Sequence, residues 1–252
     1  MTARISADLH VHTCLSPCGD DLATPKAIVQ VALERGLGII GISDHNSAEN
    51  VKAAIAAAGS LPLTVLPGME VSSVEEVHLL SFFADLETAL RAQEFVYGHL
   101  QPGENNELLF GYQYIVDEED YVLGESKRLL IGSTDLSVDQ IVSAVHGLEG
   151  VCIASHVDRD RYGLLYQLGF IPETLALDAV EITSDMTVSE VEEKFGVKIE
   201  LPVIYSSDSH FAKDVGKNQT CFEIEAPTFS EVVMALRSEK GRRLIGRRKG
   251  DV

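Results

Sequence analysis

The chain is poor in the residues that mark several classes of protein. It has no tryptophan and only four cysteines among its 252 residues, and four scattered cysteines are too few for a disulfide scaffold. No apolar run approaches the roughly 20 residues that cross a bilayer. The first strand is not preceded by the charged, apolar and small-residue leader that directs export. These absences favour a cytoplasmic protein that does not contact membranes.

Positive charge is also scarce, because 20 lysines and arginines face 39 aspartates and glutamates, giving a formal charge of −19. Such a charge repels a long polyanion and is easier to reconcile with a small phosphorylated substrate. The exception is a basic C-terminal tail from about residue 240, with the runs Lys240-Gly241-Arg242-Arg243 and Arg247-Arg248-Lys249. This tail is either a solvated end or a segment that recruits a phosphate-bearing partner.

Two short motifs, far apart in the chain, place metal-ligand side chains on one face of a strand. His10 and His12 are two residues apart in an apolar segment, and Asp208 and His210 repeat that spacing. Side chains two apart in a β-strand point the same way. Imidazoles and a carboxylate presented together are suitable ligands for a divalent metal ion.

Further ligand types occur within or just past short apolar runs that are typical of buried strands. A buried charge in such a place needs a partner, and a metal ion provides one. These residues are His45, Glu70, His78, His156 and Glu181. Asp20 and its neighbour Asp21 add loop carboxylates after the first motif, and the sequence leaves open which of the two binds, with Asp20 favoured.

The ordered motifs resemble those of the polymerase and histidinol phosphatase (PHP) family of metal-dependent phosphoesterases. The resemblance extends from about residue 5 to about residue 245 and implies two to three divalent ions, with zinc, manganese and iron all compatible. It assigns His10, His12, Glu70 and Asp208 to the first ion, Glu70, His78 and His156 to the second, and Asp20, His45 and His210 to the third. Glu70 would therefore bridge two ions.

The pattern of short strands alternating with helices predicts an α/β barrel of parallel strands, with the ligands at the C-terminal ends of the strands. The resemblance implies a distorted (β/α)7 TIM-like barrel. We expect one domain over residues 1–252. Residues from about 98 to 136 break the alternation and read as an inserted β-hairpin, which would be a surface insertion, a lid over the metal site or a dimer contact.

The function implied is hydrolysis of a small phosphorylated metabolite or a nucleotide by attack of a metal-activated water. Glu70, Asp208 and His210 would be the catalytic residues, and Arg159, Arg161 and Lys213 follow ligand positions closely enough to bind phosphate. Alternatives are a 5'-3' exonuclease acting on short oligonucleotides, a metallo-amidohydrolase, and a metal-sensing or regulatory module without activity. Neither the substrate nor the oligomeric state follows from the sequence.

Other polar residues near these motifs have a less definite role. Asp44 faces away from His45 on its strand and is expected to support a ligand from behind. Asp8 either orients His10 or bonds to backbone, and Glu181 either supports a ligand or caps a buried strand end. Cys14 and Cys18 are separated by three residues, unlike a common zinc knuckle, so packing, redox sensitivity and thiolate ligation all remain possible roles.

Overall fold

A computed structural model of the chain describes residues 1–250. Its strands are β1 (Ala3–Val11), β2 (Ile39–Ile42), β3 (Thr64–Ser72), β4 (His78–Phe82), β5 (Tyr114–Val116), β6 (Val122–Glu125), β7 (Val151–Ala154), β8 (Ala179–Ile182), β9 (Val203–Tyr205), β10 (Asn218–Ile224) and β11 (Arg243–Lys249). Its α-helices are α1 (Pro25–Glu34), α2 (Val51–Ala58), α3 (Leu86–His99), α4 (Glu107–Phe110), α5 (Val138–Gly147), α6 (Leu164–Leu168), α7 (Val188–Phe195) and α8 (Phe229–Leu236). A 3₁₀ turn covers Ala212–Asp214. No helix within residues 1–250 has the length and apolar character needed to cross a membrane.

Seven strands form the barrel wall in the order β1-β2-β3-β4-β7-β8-β9. The ring closes just beyond β9, where Ser209 pairs in parallel with Val11 of β1. The backbone N–H of His12 donates to Ser209 O at 3.0 Å, and Ser209 N–H donates to His10 O at 3.2 Å. This arrangement confirms the distorted seven-stranded α/β barrel, and its closure brings the two halves of the metal-ligand pattern side by side.

One wall strand departs from the parallel barrel predicted from the alternation, because β4 runs antiparallel to both β3 and β7. The reason is the connection between β3 and β4, a tight turn in which Ser73 N–H bonds to Val77 O. A connection this short makes a hairpin, since a parallel crossover needs a dozen or more residues. The start of β4 therefore lies beside the end of β3, and His78 pairs with Ser72.

The barrel interior is apolar at one end and polar at the other. Large buried side chains fill the lower interior, among them Leu9, Ile39, Leu66, Phe82 and Ile204, and α8 packs across that end. Glu70 lies four residues after Leu66 on the same face of β3, and Glu181 lies two residues after Ala179 on the same face of β8. The polar side chains therefore form the top layers above a closed apolar core.

Residues 98–136 contain an antiparallel hairpin, β5 with β6, and this segment packs beside the first ligand loop. Tyr114 N–H donates to Cys14 O at 3.0 Å, and Asn50 Nδ2 donates to Tyr114 O at 3.0 Å. Asn46 fastens the far end of the segment through Nδ2, which donates to Leu130 O and Gly132 O. The segment thus forms a wall against the loop that follows β1.

The segment described from sequence as a basic tail is strand β11, paired antiparallel with β10. Its cations contact acidic groups of the same chain: Arg243 Nε lies 2.6 Å from Glu223, and Arg247 and Lys249 both reach Asp185. Charged residues on an edge strand also discourage pairing with other chains. The positive charge here is therefore largely balanced within the fold.

Candidate metal centre

Four side chains from β1, β3 and the segment after β9 converge at the polar end of the barrel. His10 Nε2 lies 3.2 Å from Asp208 Oδ1 and 3.3 Å from Glu70 Oε1. His12 Nε2 lies 3.2 Å from Asp208 Oδ1. Two atoms bound at about 2.0–2.1 Å to one zinc ion are about 3.3–3.4 Å apart at the tetrahedral angle. The observed spacing therefore fits ligand atoms arranged around a shared cation.

The carboxylate of Glu70 occupies the middle of this cluster and contacts further histidines with both of its oxygens. Its Oε1 lies 3.2 Å from His78 Nδ1 and 3.2 Å from His156 Nε2. Its Oε2 lies 3.2 Å from His45 Nδ1. A carboxylate whose two oxygens face different imidazoles can bridge two ions, which is the position that the resemblance assigns to Glu70.

Three of the candidate ligand histidines, His10, His12 and His210, are oriented by a hydrogen bond on the Nδ1 atom. His10 Nδ1 lies 2.8 Å from Glu181 Oε2, and His210 Nδ1 lies 2.9 Å from Asp208 O. With Nδ1–H donating in each case, Nε2 keeps its lone pair for a metal. Glu181 therefore supports His10 from behind, and it also accepts a bond from His156 N–H.

A second chain of hydrogen bonds orients His12. Its Nδ1 lies 2.9 Å from Ser16 Oγ, and Ser16 Oγ donates to Asp44 Oδ1 at 2.7 Å. Asp44 also accepts from the backbone and hydroxyl of Thr13. Burial raises the pKa of Asp44 to about 6 against these bonds. Asp44 thus supports the site as expected, but it acts through Ser16, which the sequence had not singled out.

Asp8 serves the backbone. Its carboxylate accepts from Ser207 N–H at 3.0 Å, from Gly216 N–H at 2.6 Å and from the Ser207 hydroxyl at 2.5 Å. Its bond to His10 is to the main-chain N–H, at 3.4 Å, and not to the ring. Of the two roles considered for Asp8, the structure shows bonding to the backbone. These bonds fix the segment that carries Asp208 beside β1.

Ionisation in the cluster is strongly coupled. Burial alone would raise the pKa of Glu70, yet His78 and His10 hold it well below its usual value. Burial lowers the pKa of His12 to about 4 and that of His45 well below its usual value. Burial would also lower the pKa of His10, but Asp208, Glu181 and Glu70 raise it well above normal. The carboxylates of Asp208, Glu181 and Glu70 therefore stabilise a positive charge at the position between them.

Unsatisfied buried atoms test whether the residues fit a metal. Within residues 1–250, three atoms that face the cluster, His45 Nδ1, His78 Nδ1 and Glu70 Oε1, are buried without a hydrogen-bond partner. Buried polar atoms are normally hydrogen-bonded, so a group of such atoms in one place needs an explanation. Nitrogen and oxygen donors of this kind suit zinc, iron or manganese. The residues present therefore fit bound divalent ions.

Backbone conformation at the site is also unusual. His156 has φ of 27° and Asp208 has φ of 50°, both in the left-handed region that residues other than glycine rarely adopt. Each such residue costs of order 1–3 kcal/mol and persists where its surroundings fix it. Both residues carry candidate ligands, so the strain lies where side-chain direction matters most.

The structure does not bring Asp20 into the groups of ligand atoms. Among residues 1–250, three groups of candidate ligand residues have their ligand atoms within 4.8 Å of one another: His12, Cys18, His45 and His210; His10, His12 and Asp208; and His45, Glu70 and His78. Asp20 Oδ1 instead accepts from Leu22 N–H at 2.9 Å, within its own loop. Asp21 is exposed, so the loop residue that reaches the histidines is Cys18.

The three candidate phosphate-binding cations have different surroundings. Arg159 Nη2 lies 2.5 Å from Asp208 Oδ2, while 45% of its side chain remains exposed. Arg161 is exposed. Lys213 lies near the Phe211 ring and lines a separate surface cavity with Arg35 and Arg248. Arg159 is thus the candidate that reaches the ligand cluster.

Tyr162, an aromatic residue at the edge of the ligand cluster, was not identified from the sequence. Tyr162 stacks on His78 with ring centroids 4.5 Å apart and an interplanar angle of 11°. Tyr162 is 42% exposed to solvent. Tyr162 also has a positive φ, 59°. In the sequence, Tyr162 is marked only by its position in the loop after His156, and this position does not distinguish Tyr162 from Tyr166.

The fold and the clustered histidines and carboxylates define a barrel protein with a candidate site for more than one metal ion. A family model described as the PHP domain matches residues 8–245. The chain therefore belongs to the PHP family of metal-dependent hydrolases.

Comparisons with individual proteins point to relatives that act on nucleic acids or phosphoesters. The 5'-3' exoribonuclease Rnm of Salmonella typhimurium is 36% identical over 85 residues, which are 31% of this chain and 28% of Rnm. The lesion-specific endonuclease PfuEndoQ of Pyrococcus furiosus superposes with a TM-score of 0.73 at 17% identity, covering 97% of this chain and 58% of that protein. A Bifidobacterium adolescentis protein described as a metal-dependent phosphoesterase superposes with a TM-score of 0.55 at 19% identity, covering 91% and 96%. The structural matches establish the shared fold, and the match to Rnm spans less than a third of its length.

Proposed function

We propose that this chain is a metal-dependent phosphoesterase that hydrolyses a small phosphorylated metabolite or a nucleotide. The observation that carries the proposal is the position of Glu70, which lies within 3.5 Å of ring nitrogens of five histidines. A single buried carboxylate surrounded in this way suits a bridging ligand in a multinuclear centre better than an ordinary ion pair. This number of ligand-type groups also argues against a purely regulatory module.

We assign a first ion to His10, His12, Glu70 and Asp208, and a second to Glu70, His78 and His156. When bound, divalent ions would lower the pKa of a water nucleophile and offset the charge of a phosphoryl group. Zinc, manganese and iron suit these nitrogen and oxygen donors. The protein contributes the fixed directions of the imidazoles, which Glu181 and Ser16 hold from behind.

Arg159 would bind the phosphoryl group of the substrate. Its guanidinium already lies at the ligand cluster, on Asp208 Oδ2, and almost half of the side chain faces solvent. A planar guanidinium can exchange one carboxylate partner for a phosphate oxygen with little loss of geometry. Arg161 and Lys213 follow ligand positions in sequence as Arg159 does, but Lys213 lines another cavity. We therefore propose Arg159 as the main phosphate contact.

A second candidate function, removal of nucleotides from the 5' end of a short oligonucleotide, is favoured by the likeness to Rnm and by Tyr162. An exposed ring next to the ligand cluster could stack on a base, and such stacking is how single-stranded nucleic acid is often held. The formal charge of −19 opposes a long polyanion, so a short strand fits better than a duplex.

The test is turnover of an aryl phosphate, a set of sugar phosphates and nucleotides, and a short 5'-phosphorylated oligoribonucleotide. Each would be assayed with protein stripped by a chelator and then reloaded with zinc, manganese or iron. We expect hydrolysis that depends on added metal and is lost in Glu70→Gln. Absence of phosphoester hydrolysis with every metal, in protein shown by elemental analysis to be loaded, would falsify the proposal. Preference for the oligoribonucleotide would instead favour the second candidate.

A further inference from the structure

The ligand loop after β1 presents a sulfur atom to the metal centre. Cys18 Sγ groups with one ring nitrogen each of His12, His45 and His210, all within 4.8 Å of one another. From this geometry we propose that Cys18, and not Asp20, is the loop ligand of the outermost ion and binds it together with His45 and His210, while His12 binds the first ion. The inference rests on the metal centre of the proposed function and concerns the third ion that the family resemblance implies.

The loop is folded so as to place Cys18 over the histidines. Gly19 N–H donates to Ser16 O at 2.8 Å, and a Cβ at Gly19 would lie 2.4 Å from Thr13 O. Asp20 N–H donates to His210 O at 2.8 Å. Glycine is therefore required at position 19 for the backbone to approach so closely. These contacts join the cysteine loop to the segment carrying His210.

The histidine side of this group points independently to a ligand. His45 is 95% buried, and its Nδ1 has no hydrogen-bond partner, although it lies 3.2 Å from Glu70 Oε2. The rings of His45 and His210 lie 4.8 Å and 4.5 Å from the ring of His12. The competing carboxylate of Asp20 bonds to Leu22 N–H. A donor set of one sulfur and imidazole nitrogens suits tetrahedral zinc, and thiolate favours zinc over manganese.

Ligation would replace the thiol proton by the metal ion, with one proton released to solvent for each Cys18 bound. The inner ions, held by Glu70 and Asp208 with histidines, need no sulfur. The inference therefore predicts a single sulfur per loaded chain. That sulfur would come from Cys18, the exposed one of the four cysteines.

Cobalt substitution tests the proposal without relying on activity. Wild-type protein loaded with Co²⁺ should show a sulfur-to-cobalt charge-transfer band in the near ultraviolet. Cys18→Ser should bind cobalt but lose this band. Cys221→Ser is a matched control, because Cys221 lies on β10 and its Sγ contacts Ser6 Oγ. This variant and Asp20→Asn should both keep the charge-transfer band.

Two measurements on wild-type protein keep the test decisive if Cys18→Ser does not fold. X-ray absorption of the zinc-loaded protein should include one sulfur at about 2.3 Å. Metal loading should also slow alkylation of Cys18, followed by peptide mass spectrometry, at least about tenfold, because a ligated thiolate is not free to react. Full cobalt loading with no sulfur band, or a band that survives in Cys18→Ser, overturns the assignment and leaves the metal centre standing. A wild-type protein that binds no cobalt or zinc overturns both.

Discussion

The inner and outer parts of the candidate metal centre are built in different ways. The inner part, formed by His10, His12, Glu70 and Asp208, is buried, and three of its four residues lie on β1 and β3 or directly after them. The outer part depends on the loop that carries Cys18 and on His210, whose side chain is 24% exposed. Strand-borne ligands are fixed by barrel closure, whereas loop-borne ligands are fixed by a few turn contacts. We therefore expect substitutions in the inner part to have the larger effects.

The largest effect should come from Glu70→Gln. The change keeps the size of the side chain but removes the negative charge that faces five histidines, so the first two ions lose a shared ligand. Loss of several kcal/mol of stabilisation by metal corresponds to a fall in turnover of roughly 10³-fold or more. Elemental analysis and phosphatase assays would measure it, with Glu94→Gln, an exposed residue on α3, as the control. Near-normal turnover at saturating metal would contradict the bridging role.

A smaller loss is expected for Glu181→Gln, which changes a residue behind the inner part. Glu181 accepts from His10 Nδ1, and removal of such a supporting partner typically weakens metal binding about 10- to 100-fold. Competition with a chromophoric chelator would measure the affinity, and Glu200→Gln, at an exposed pair with Lys198, is the control. If Glu181→Gln binds metal as tightly as wild type, the orientation of His10 does not depend on this bond.

The same contrast explains how much could be predicted from sequence. The inner residues follow simple periodic rules, since His10 and His12 alternate along a strand and Glu70 interrupts an apolar run. The barrel itself was predictable for a similar reason. The direction of β4 was missed because the alternation of elements was extended across residues 73–77, although that connection is too short for a helix.

Features that depend on loop folding could not be predicted. Cys18, Asp20 and Asp21 are within four positions of one another, and only the turn around Gly19 decides which side chain reaches His12. Arg159, Arg161 and Lys213 were equivalent by spacing, but their surroundings differ because the segment after β7 turns back across Asp208. Strands β10 and β11 were missed because their polar and basic residues are balanced by ion pairs from distant parts of the chain.

An effect of similar size, on substrate binding and not on metal affinity, is expected for Arg159→Ala, at the boundary between the two parts. Removing one charge-assisted hydrogen bond to phosphate typically costs about 1.5–3 kcal/mol, or roughly 10- to 150-fold in binding. The KM for a phosphomonoester should rise by about that factor while metal content is unchanged. Arg161→Ala, an exposed neighbour on the same loop, is the matched control and should leave KM nearly unaltered. Equal effects of the two changes would contradict the role of Arg159.

Tyr162→Leu should have a smaller effect, and one that depends on the substrate. Stacking of one base on an aromatic ring is worth about 1–3 kcal/mol, so binding of a nucleotide should weaken about 5- to 30-fold at the lower end of that range. A sugar phosphate, which has no base, should be affected less than about twofold. Tyr166→Leu changes an exposed tyrosine nearby and serves as the control. Equal losses on both substrates would show that Tyr162 acts through His78 and not through a base.

The smallest effect should follow from removing charge on β11, an edge strand that carries none of the candidate ligands. Arg243 and Lys249 already contact Glu223 and Asp185 of the same chain, so little of their charge is left to attract a phosphate backbone. The double variant Arg243→Gln with Lys249→Gln should change KM for an oligoribonucleotide by less than about twofold, with the same salt dependence as wild type. If these cations instead bound the phosphates of a single strand, each one removed would lower the slope of log K against log salt by about 0.7. A slope reduced by that amount or more would show that β11 recruits nucleic acid after all, and would favour the exonuclease function over the small-metabolite function.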